Sequence, residues 1–514
     1  MKNSFDAAND RRVIIIGSGP AGAMAAHELV RAGISTVMLE SGTELPKGIL
    51  LRLNGRNLFR RMPELDRDLT VVDKGNQDAG FYTHYALGGM TNQWTGAVPR
   101  FCPRDFTEGE RLHEKYVWPV TYDELEPYYG IAEREMRITA NPKDVPNLPA
   151  GNFEFKNELP RDWSAVEECA ARYGQGFTTM PLADGPPNLL VGRGTAFNSY
   201  SFLAEKLLGN PKFQLITGAH ALRVEWDGAA KRAASVVYRD RHSGEDTRLA
   251  AAAFVLGCGA VNSAKLLLNS TSPDFPEGLG NSSGLLGRYL HDHPCEWWAF
   301  DLDRPATLHS PPAYLTRMAH DKSPPLMATS WTLGVVGKQD TIRSRLGMRG
   351  TAVGVQLFGT MVPSGSHYVA LSPDRTDAFG SPALDIKINF DRDVIQNVVD
   401  AREHLMNLMS EAGFNPTMRE VVPQLFPGRA KHYGGTTRMH ASSRFGVTDA
   451  FNRLHDVKNV LVVDAGCFTT AAEKNPTLTI MAIAARAASK LAKSLRAGRA
   501  SGAAHARGVR QFAS

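Results

Sequence analysis

The sequence predicts an α/β protein in which one parallel sheet is assembled from distant parts of the chain. A second, α+β unit with a large antiparallel sheet is inserted into it. Three observations carry this reading. Short apolar strands recur near residues 15, 256 and 463, and each closes on glycine or an acid. The first runs directly into a glycine-rich turn and an alanine-rich helical segment. The stretch of roughly 296–429 is less periodic, carries Pro- and Gly-rich connections, and holds strand-like pieces such as Tyr368–Leu371 and Ala383–Ile388.

The first element is Val13–Ile16, a β-branched, fully apolar run of the kind found at the centre of a parallel sheet. It leads into Gly17-Ser-Gly19-Pro-Ala21-Gly22, then into helix formers up to Ala32. A second apolar strand, Val37–Leu39, ends in Glu40. Gly17 permits the tight turn, Gly19 lets the backbone approach a pyrophosphate, and Gly22 lets the helix pack on the sheet. The helix N-terminus supplies N–H donors to phosphates. Glu40, about 20 residues further on, can accept ribose hydroxyls. Strand, helix and acid agree on a dinucleotide site with Gly17, Gly19, Ala21, Gly22 and Glu40 as contacts, although the motif alone does not separate FAD from NAD.

Downstream, residues 215–256 read as an antiparallel excursion turned by Asp227-Gly228 and Ser243-Gly244. The run Ala253–Gly257 is another buried strand, followed by a helical SAKLLLNS. Asn459–Gly466 repeats the pattern of a strand closing on an acid and a glycine, with a helix from Pro476 to Leu491. Ligands of open α/β sheets bind outside the carboxyl ends of the strands. One discontinuous domain (1–100, 195–295 and 430–500) is therefore expected, with 101–194 as a connecting segment that covers the cofactor. A substrate domain at 296–429 and a disordered tail at 501–514 complete the division.

Composition narrows the partners. Of 514 residues, 43% are hydrophobic and 22% charged, enough for two sizeable cores. A net charge of +5 from 58 basic and 53 acidic side chains, without a basic cluster before the last few residues, argues against nucleic acid. The five cysteines (Cys102, Cys169, Cys258, Cys295, Cys467) are scattered and odd in number, which fits a reducing, cytoplasmic location without a zinc site. Arg11-Arg12 precedes an apolar run shorter than the roughly seven to fifteen residues of an export signal. No stretch approaches the roughly 20 residues of a membrane span.

Several longer motifs resemble the glucose–methanol–choline (GMC) oxidoreductase family. They are Leu87-Gly-Gly-Met-Thr-Asn-Gln-Trp94-Thr-Gly-Ala, Val255–Ser270, and Leu286-Gly-Arg-Tyr-Leu-His-Asp-His293-Pro294. The C-terminal pair His432–Met439 and Asn475–Ala482 matches most strongly. The first and last are most similar to the bacterial pyranose oxidase and glycoside 3-oxidase branch. The resemblance implies a Rossmann-like FAD domain and oxidation of a pyranose or glycoside ring alcohol, at C3 or C2, to a ketone. O2 or another acceptor would reoxidise the flavin. By the same resemblance, His432 is the base and Asn475 its partner. The segment of Gly88, Gly89, Thr91, Asn92, Trp94 and Thr95 passes the flavin ring, while Val224, Gly259, Asp464, Ala465, Pro476 and Thr477 complete the cofactor site.

One departure from the pattern matters. Pyranose oxidases often attach FAD through a His immediately before the Trp of this segment, and Gln93 stands there. Non-covalent FAD is therefore expected. His291 and His293 lack a completing ligand set for a metal, and Trp297-Trp298 reads as core packing before sugar stacking. Other readings stay open: a dehydrogenase subunit feeding a cytochrome partner, a flavin monooxygenase or halogenase, and a flavoprotein without turnover. A homo-oligomeric state stays open as well.

Overall fold

The computed structural model describes residues 12–43, 71–73, 81, 83–186, 196–303, 307, 310–317, 324–336, 351–421 and 425–511. Arg11, much of 301–350 within the expected substrate domain, and residues 512–514 of the tail lie outside the described residues.

Five parallel strands form the sheet expected from the sequence, in the order Val460–Val462, Ala253–Leu256, Val13–Ile16, Thr36–Glu40 and Phe213–Thr217. The three runs read near 15, 256 and 463 are thus neighbours, with Ile14 opposite Phe254 and Phe254 opposite Val460. Burial on both faces explains why they are apolar throughout, since helices cover one side and an antiparallel layer the other. Phe213–Thr217 corrects the sequence reading: it pairs parallel with Thr36–Glu40. The antiparallel excursion begins only at Ala219, as three strands, Ala219–Asp227, Arg232–Asp240 and Asp246–Ala250.

The helix Pro20–Arg31 starts with Pro at a position where no N–H is needed. At its other end Gly33, at φ +74°, allows Gly33 N–H to bond Val30 O (2.8 Å) and Ile34 N–H to bond Leu29 O (3.0 Å), a Schellman stop. The C-terminal helix Thr477–Gln511 packs against it. That helix continues past Leu491 and includes residues 501–511, where the sequence reading expected disorder. Its alanine- and arginine-rich composition also has high helix propensity.

The second layer is a six-stranded antiparallel sheet in the order Thr417–Val421, Cys295–Leu302, Thr351–Gly359, Thr329–Val336, Ala313–Arg317, Gly176–Thr179. Alternation sorts its faces. Trp298, Phe300, Val353, Val355, Leu357, Trp331, Leu333 and Leu315 point into one core, closed by the helix Arg392–Glu411. Trp298 is buried as core packing requires, whereas Trp297, one residue earlier, is exposed. Gly176–Thr179 comes from the stretch read as a connecting segment, yet it pairs with Ala313–Arg317 as the edge strand of this sheet. A hairpin, Tyr368–Thr376 and Pro382–Lys387, reaches back toward the parallel sheet.

The two layers meet through buried charge. Lys474, fully buried, bonds Asp105 Oδ2 (2.9 Å) and Glu473 Oε1 (2.6 Å). Ser330 Oγ of the six-stranded sheet donates to Glu473 O (2.7 Å). A buried cation of this kind persists only because both carboxylates face it.

Packing at the first turn leaves no room for a side chain. A Cβ on Gly22 would lie 2.0 Å from Gly17 O and 3.2 Å from the Ile15 side chain. Gly22→Ala is expected to cost about 3 kcal/mol, read as a lowered midpoint in chemical denaturation of the cofactor-free protein. An unchanged midpoint would mean that the turn relaxes at no cost.

Candidate active site

An elongated cavity runs along the carboxyl ends of the parallel strands, from Ser41 and His220 at one end to His432 and Pro476 at the other. Its floor is the glycine turn. Gly17 sits at φ +96°, and a Cβ there would meet Gly257 O at 2.8 Å. Gly19 caps the helix with extended backbone and has nothing closer than 3.8 Å at its Cβ position, so its cavity side is open to a ligand. The first N–H groups of the helix face the same space, an anion site by construction.

Two buried acids brace this floor. Glu40 Oε2 accepts from Ser18 N (2.8 Å) and Ser18 Oγ (2.6 Å), and Oε1 from Gly42 N (2.7 Å). Asp464 accepts from Ser263 Oγ (2.5 Å), Gly259 N (3.0 Å) and Gly466 N (2.9 Å). Burial pushes the Glu40 carboxyl up and the Asp464 carboxyl up to about 6, against the pull of these donors.

The segment after Leu87 crosses above the turn. Gly88 adopts a left-handed conformation at φ +90° and donates its N–H to Ser18 Oγ (3.0 Å). A Cβ on Gly89 would lie 3.3 Å from Gly19 Cα. Thr91 and Asn92 do not line the cavity; they shape the loop. Thr91 Oγ1 donates to Gly88 O (2.5 Å), and Asn92 Nδ2 donates to Leu87 O and Gly89 O (both 2.9 Å).

Of the residues singled out from the sequence, the cavity wall brings together Gly17, Gly19, Ala21, Glu40, Gly89, Gly259, Asp464, Ala465, Pro476, Thr477 and His432. Gly22 and Gly88 act from behind it. Trp94 is held aside by its Nε1–H bond to Phe197 O (2.9 Å), and Thr95 is exposed. Val224 is buried in the core between the sheets; the nearby wall residues are Ala221 and Leu222, because a bulge at Leu222, between the Ala221–Tyr238 and Arg223–Val237 pairs, resets the alternation before Val224. His84, Met90, His220, Lys265 and Tyr433 also line the cavity. Met90, Lys265 and Tyr433 lie inside the motifs quoted from the sequence without having been singled out there, whereas His84 and His220 lie outside them and reach the cavity only through the fold.

At the far end His432 is clamped on several sides. Its N–H donates to Asp292 Oδ1 (2.9 Å), while Asp292 Oδ2 accepts from Gly428 N (2.9 Å). Its Nδ1 faces His293 Nδ1 at 3.4 Å, and its ring lies 5.0 Å from that of Phe358. Nε2 faces the Asn475 amide at 3.5 Å, with Asn475 93% removed from solvent. Burial lowers the His432 imidazolium to about 3 and Asp292 is pushed up to about 6. The imidazole is therefore neutral near pH 7 and able to accept a proton. If Nδ1–H donates to His293, the free lone pair sits on Nε2, beside Asn475.

These features fit a flavin dinucleotide: open glycine backbone at a helix N-terminus, an acid at the end of the second strand, and a neutral imidazole at the opposite end. The sequence matches the FAD binding domain over residues 10–49 and the GMC oxidoreductase domains over 76–295 and 363–484. It is 29% identical to the 6'''-hydroxyparomomycin C oxidase of Streptomyces lividus over 95% of this chain and 92% of that one. It is 26% identical to the fructose dehydrogenase large subunit of Gluconobacter japonicus, over 95% and 98%. The C-glycoside 3-oxidase of Arthrobacter globiformis is 28% identical over 80% of this chain and 74% of its own. In fold the chain is similar to pyridoxine 4-oxidase of Mesorbium loti, at a TM-score of 0.66 and 19% identity, over 93% and 99% of the two chains. The protein is a GMC oxidoreductase, an FAD-dependent enzyme acting on CH–OH groups.

Proposed function

We propose that the enzyme oxidises a secondary ring alcohol of a pyranose or glycoside, at C3 or C2, to a ketone. The carrying observation is the His432–Asn475 pair, one neutral imidazole nitrogen facing one buried amide across 3.5 Å at the end of the cofactor cavity. The sugar- and glycoside-oxidising relatives support the substrate class. When bound, FAD supplies the hydride acceptor.

The chain's own residues supply the rest. An alcohol C–H gives up hydride readily only as its O–H proton leaves, so a base must lie against the hydroxyl. His432 takes that proton at Nε2. Asn475 holds the same oxygen by hydrogen bonding and does not titrate. Asp292 fixes the backbone of His432, and His293 selects its tautomer. Phe358 and the buried sheet behind the pair keep water from competing for the base.

Attachment of FAD is proposed to be non-covalent. Gln93 is not nucleophilic, is exposed, and is absent from the cavity wall. O2 is the proposed acceptor. The similarity to the fructose dehydrogenase large subunit favours a second reading, in which a protein partner receives the electrons. Five unpaired cysteines support a reducing compartment.

Anaerobic mixing with monosaccharides, amino sugars, glycosides, choline and simple alcohols should bleach the flavin only with sugars or glycosides. His432→Ala should slow that reduction about 10²- to 10⁴-fold. Bleaching by a non-sugar alcohol alone would sink the sugar reading, and reoxidation of the reduced enzyme by air separates oxidase from dehydrogenase.

Because burial lowers His432 to about 3, its acid limb should fall far below the roughly 6.5 of a solvated histidine. The base is active when unprotonated, so kcat/KM should hold as pH falls through 6 and decline only well below it. A loss centred near 6.5 would mean that the base is solvated in the free enzyme. Acid precipitation should leave the flavin in the supernatant. Yellow colour in the pellet would instead point to a nucleophile on the cavity wall, with His84 the first to replace.

A further inference from the structure

The end of the cavity opposite His432 is bordered by a piece of chain that belongs to neither the parallel sheet nor the six-stranded one. Between the hairpin strands Tyr368–Thr376 and Pro382–Lys387, the turn Asp377–Ser381 reaches across to the helix Ala260–Leu268 and to the strand carrying His220. Ser381, Lys265, Asn269, His220, Tyr85 and Ser41 line the cavity there, beyond Glu40. Glu40 marks the ribose position, so this end faces the adenosine half of the dinucleotide.

Several contacts hold the turn down. Lys265 Nζ meets Asp377 Oδ2 at 2.5 Å, with side-chain exposures of 8% and 2%. Phe379 stacks face to face on His220, with centroids 3.7 Å apart and planes 15° from parallel. Tyr85 meets Phe379 edge-on at 5.5 Å, and the Arg241 guanidinium lies 5.2 Å from its centroid. Arg239 Nη1 donates to Phe379 O (2.5 Å). His220 is itself tied to the cofactor floor through Ser41 Oγ (2.9 Å).

The turn is rigid in itself. Asp377 Oδ1 accepts from Phe379 N (2.8 Å) and Ser381 N (2.9 Å), so the carboxylate that pairs with Lys265 also shapes the loop. Lifting the turn would strand the Lys265 ammonium in a buried place without its partner, which is costly, and would unstack an aromatic pair.

We propose that Asp377–Ser381 is a latch that retains FAD by closing the cavity over its adenosine end, with the Lys265–Asp377 ion pair and the Phe379–His220 stack as its two catches. The proposal rests on non-covalent FAD. Dissociation of the cofactor then requires the turn to lift, and the catches set its rate.

The test is flavin release from the holoenzyme, followed by the fluorescence of free FAD after dilution into a flavin-free trap, for wild type, Phe379→Ala, Phe379→Tyr and Asp377→Asn. Phe379→Ala should release FAD about tenfold faster and Asp377→Asn on the order of 100-fold faster. Phe379→Tyr, which keeps the stack, should restore retention. A purely structural role would lower the thermal midpoints of apo- and holoprotein alike, whereas a latch narrows the gap between them. Wild-type release rates and an unchanged apo–holo gap in folded Phe379→Ala and Asp377→Asn would overturn the latch alone. Flavin that stays with acid-precipitated wild-type protein would overturn the non-covalent reading and the latch together, so the two failures are told apart.

Discussion

The cavity depends on how closely three stretches of backbone approach where the first helix begins. Gly17, Gly22 and Gly257 leave no room for a Cβ between them: one on Gly257 would lie 2.7 Å from Gly22 N, and one on Gly17 would lie 2.8 Å from Gly257 O. Any side chain at these points would push the first and second crossover apart. Because they are glycines, the strands Val13–Ile16 and Ala253–Leu256 end at the same level. Their turns open onto one space, and the helix N-terminus points into it. The anion-binding character of the cavity follows from packing rather than from positively charged side chains.

Around this contact, buried carboxylates act as clamps on backbone N–H groups. Glu40 holds Ser18 and Gly42, Asp464 holds Gly259 and Gly466, and Asp292 holds Gly428 and His432. Each joins chain segments that are close in space, and the last two join segments more than a hundred residues apart in sequence. Burial raises their proton affinity while the N–H donors lower it, and the geometry survives because several donors share one charge. The Lys474 cluster does the same with a cation, fixing the stretch that carries Asn475 to both Asp105 and the six-stranded sheet.

This arrangement separates two tasks along one cavity. The end near Glu40 is bordered by the hairpin turn and its ion pair. The end near His432 is built from three returning segments, Asp292–His293, Gly428–His432 and Glu473–Asn475, where the neutral imidazole is prepared. The Lys265–Asp377 pair is buried, as is Asn475 where His432 faces it, so solvent ions screen these contacts little.

The sequence by itself determined the parallel sheet and its glycine turn, because strand burial and close backbone approach each demand a particular residue type. Val13–Ile16, Gly17–Gly22, Glu40, Ala253–Gly257 and Val460–Asp464 carry that demand locally. The motifs that resemble GMC oxidoreductases also named His432 and Asn475 from the sequence, but not their separation. Phe213–Thr217, whose flanks look like those of the antiparallel strands, joined the parallel sheet only through pairing with Thr36–Glu40. Gly176–Thr179 likewise became an edge strand because Ala313–Arg317 lay open beside it. Val224 and Thr95 turned away from the cavity, and His220, Lys265 and Ser381 turned toward it, through a strand bulge, a loop, a helix face and a hairpin turn that only the folded chain arranges. The tertiary structure decided these matters, because a side chain's direction is set by partners that no local pattern records.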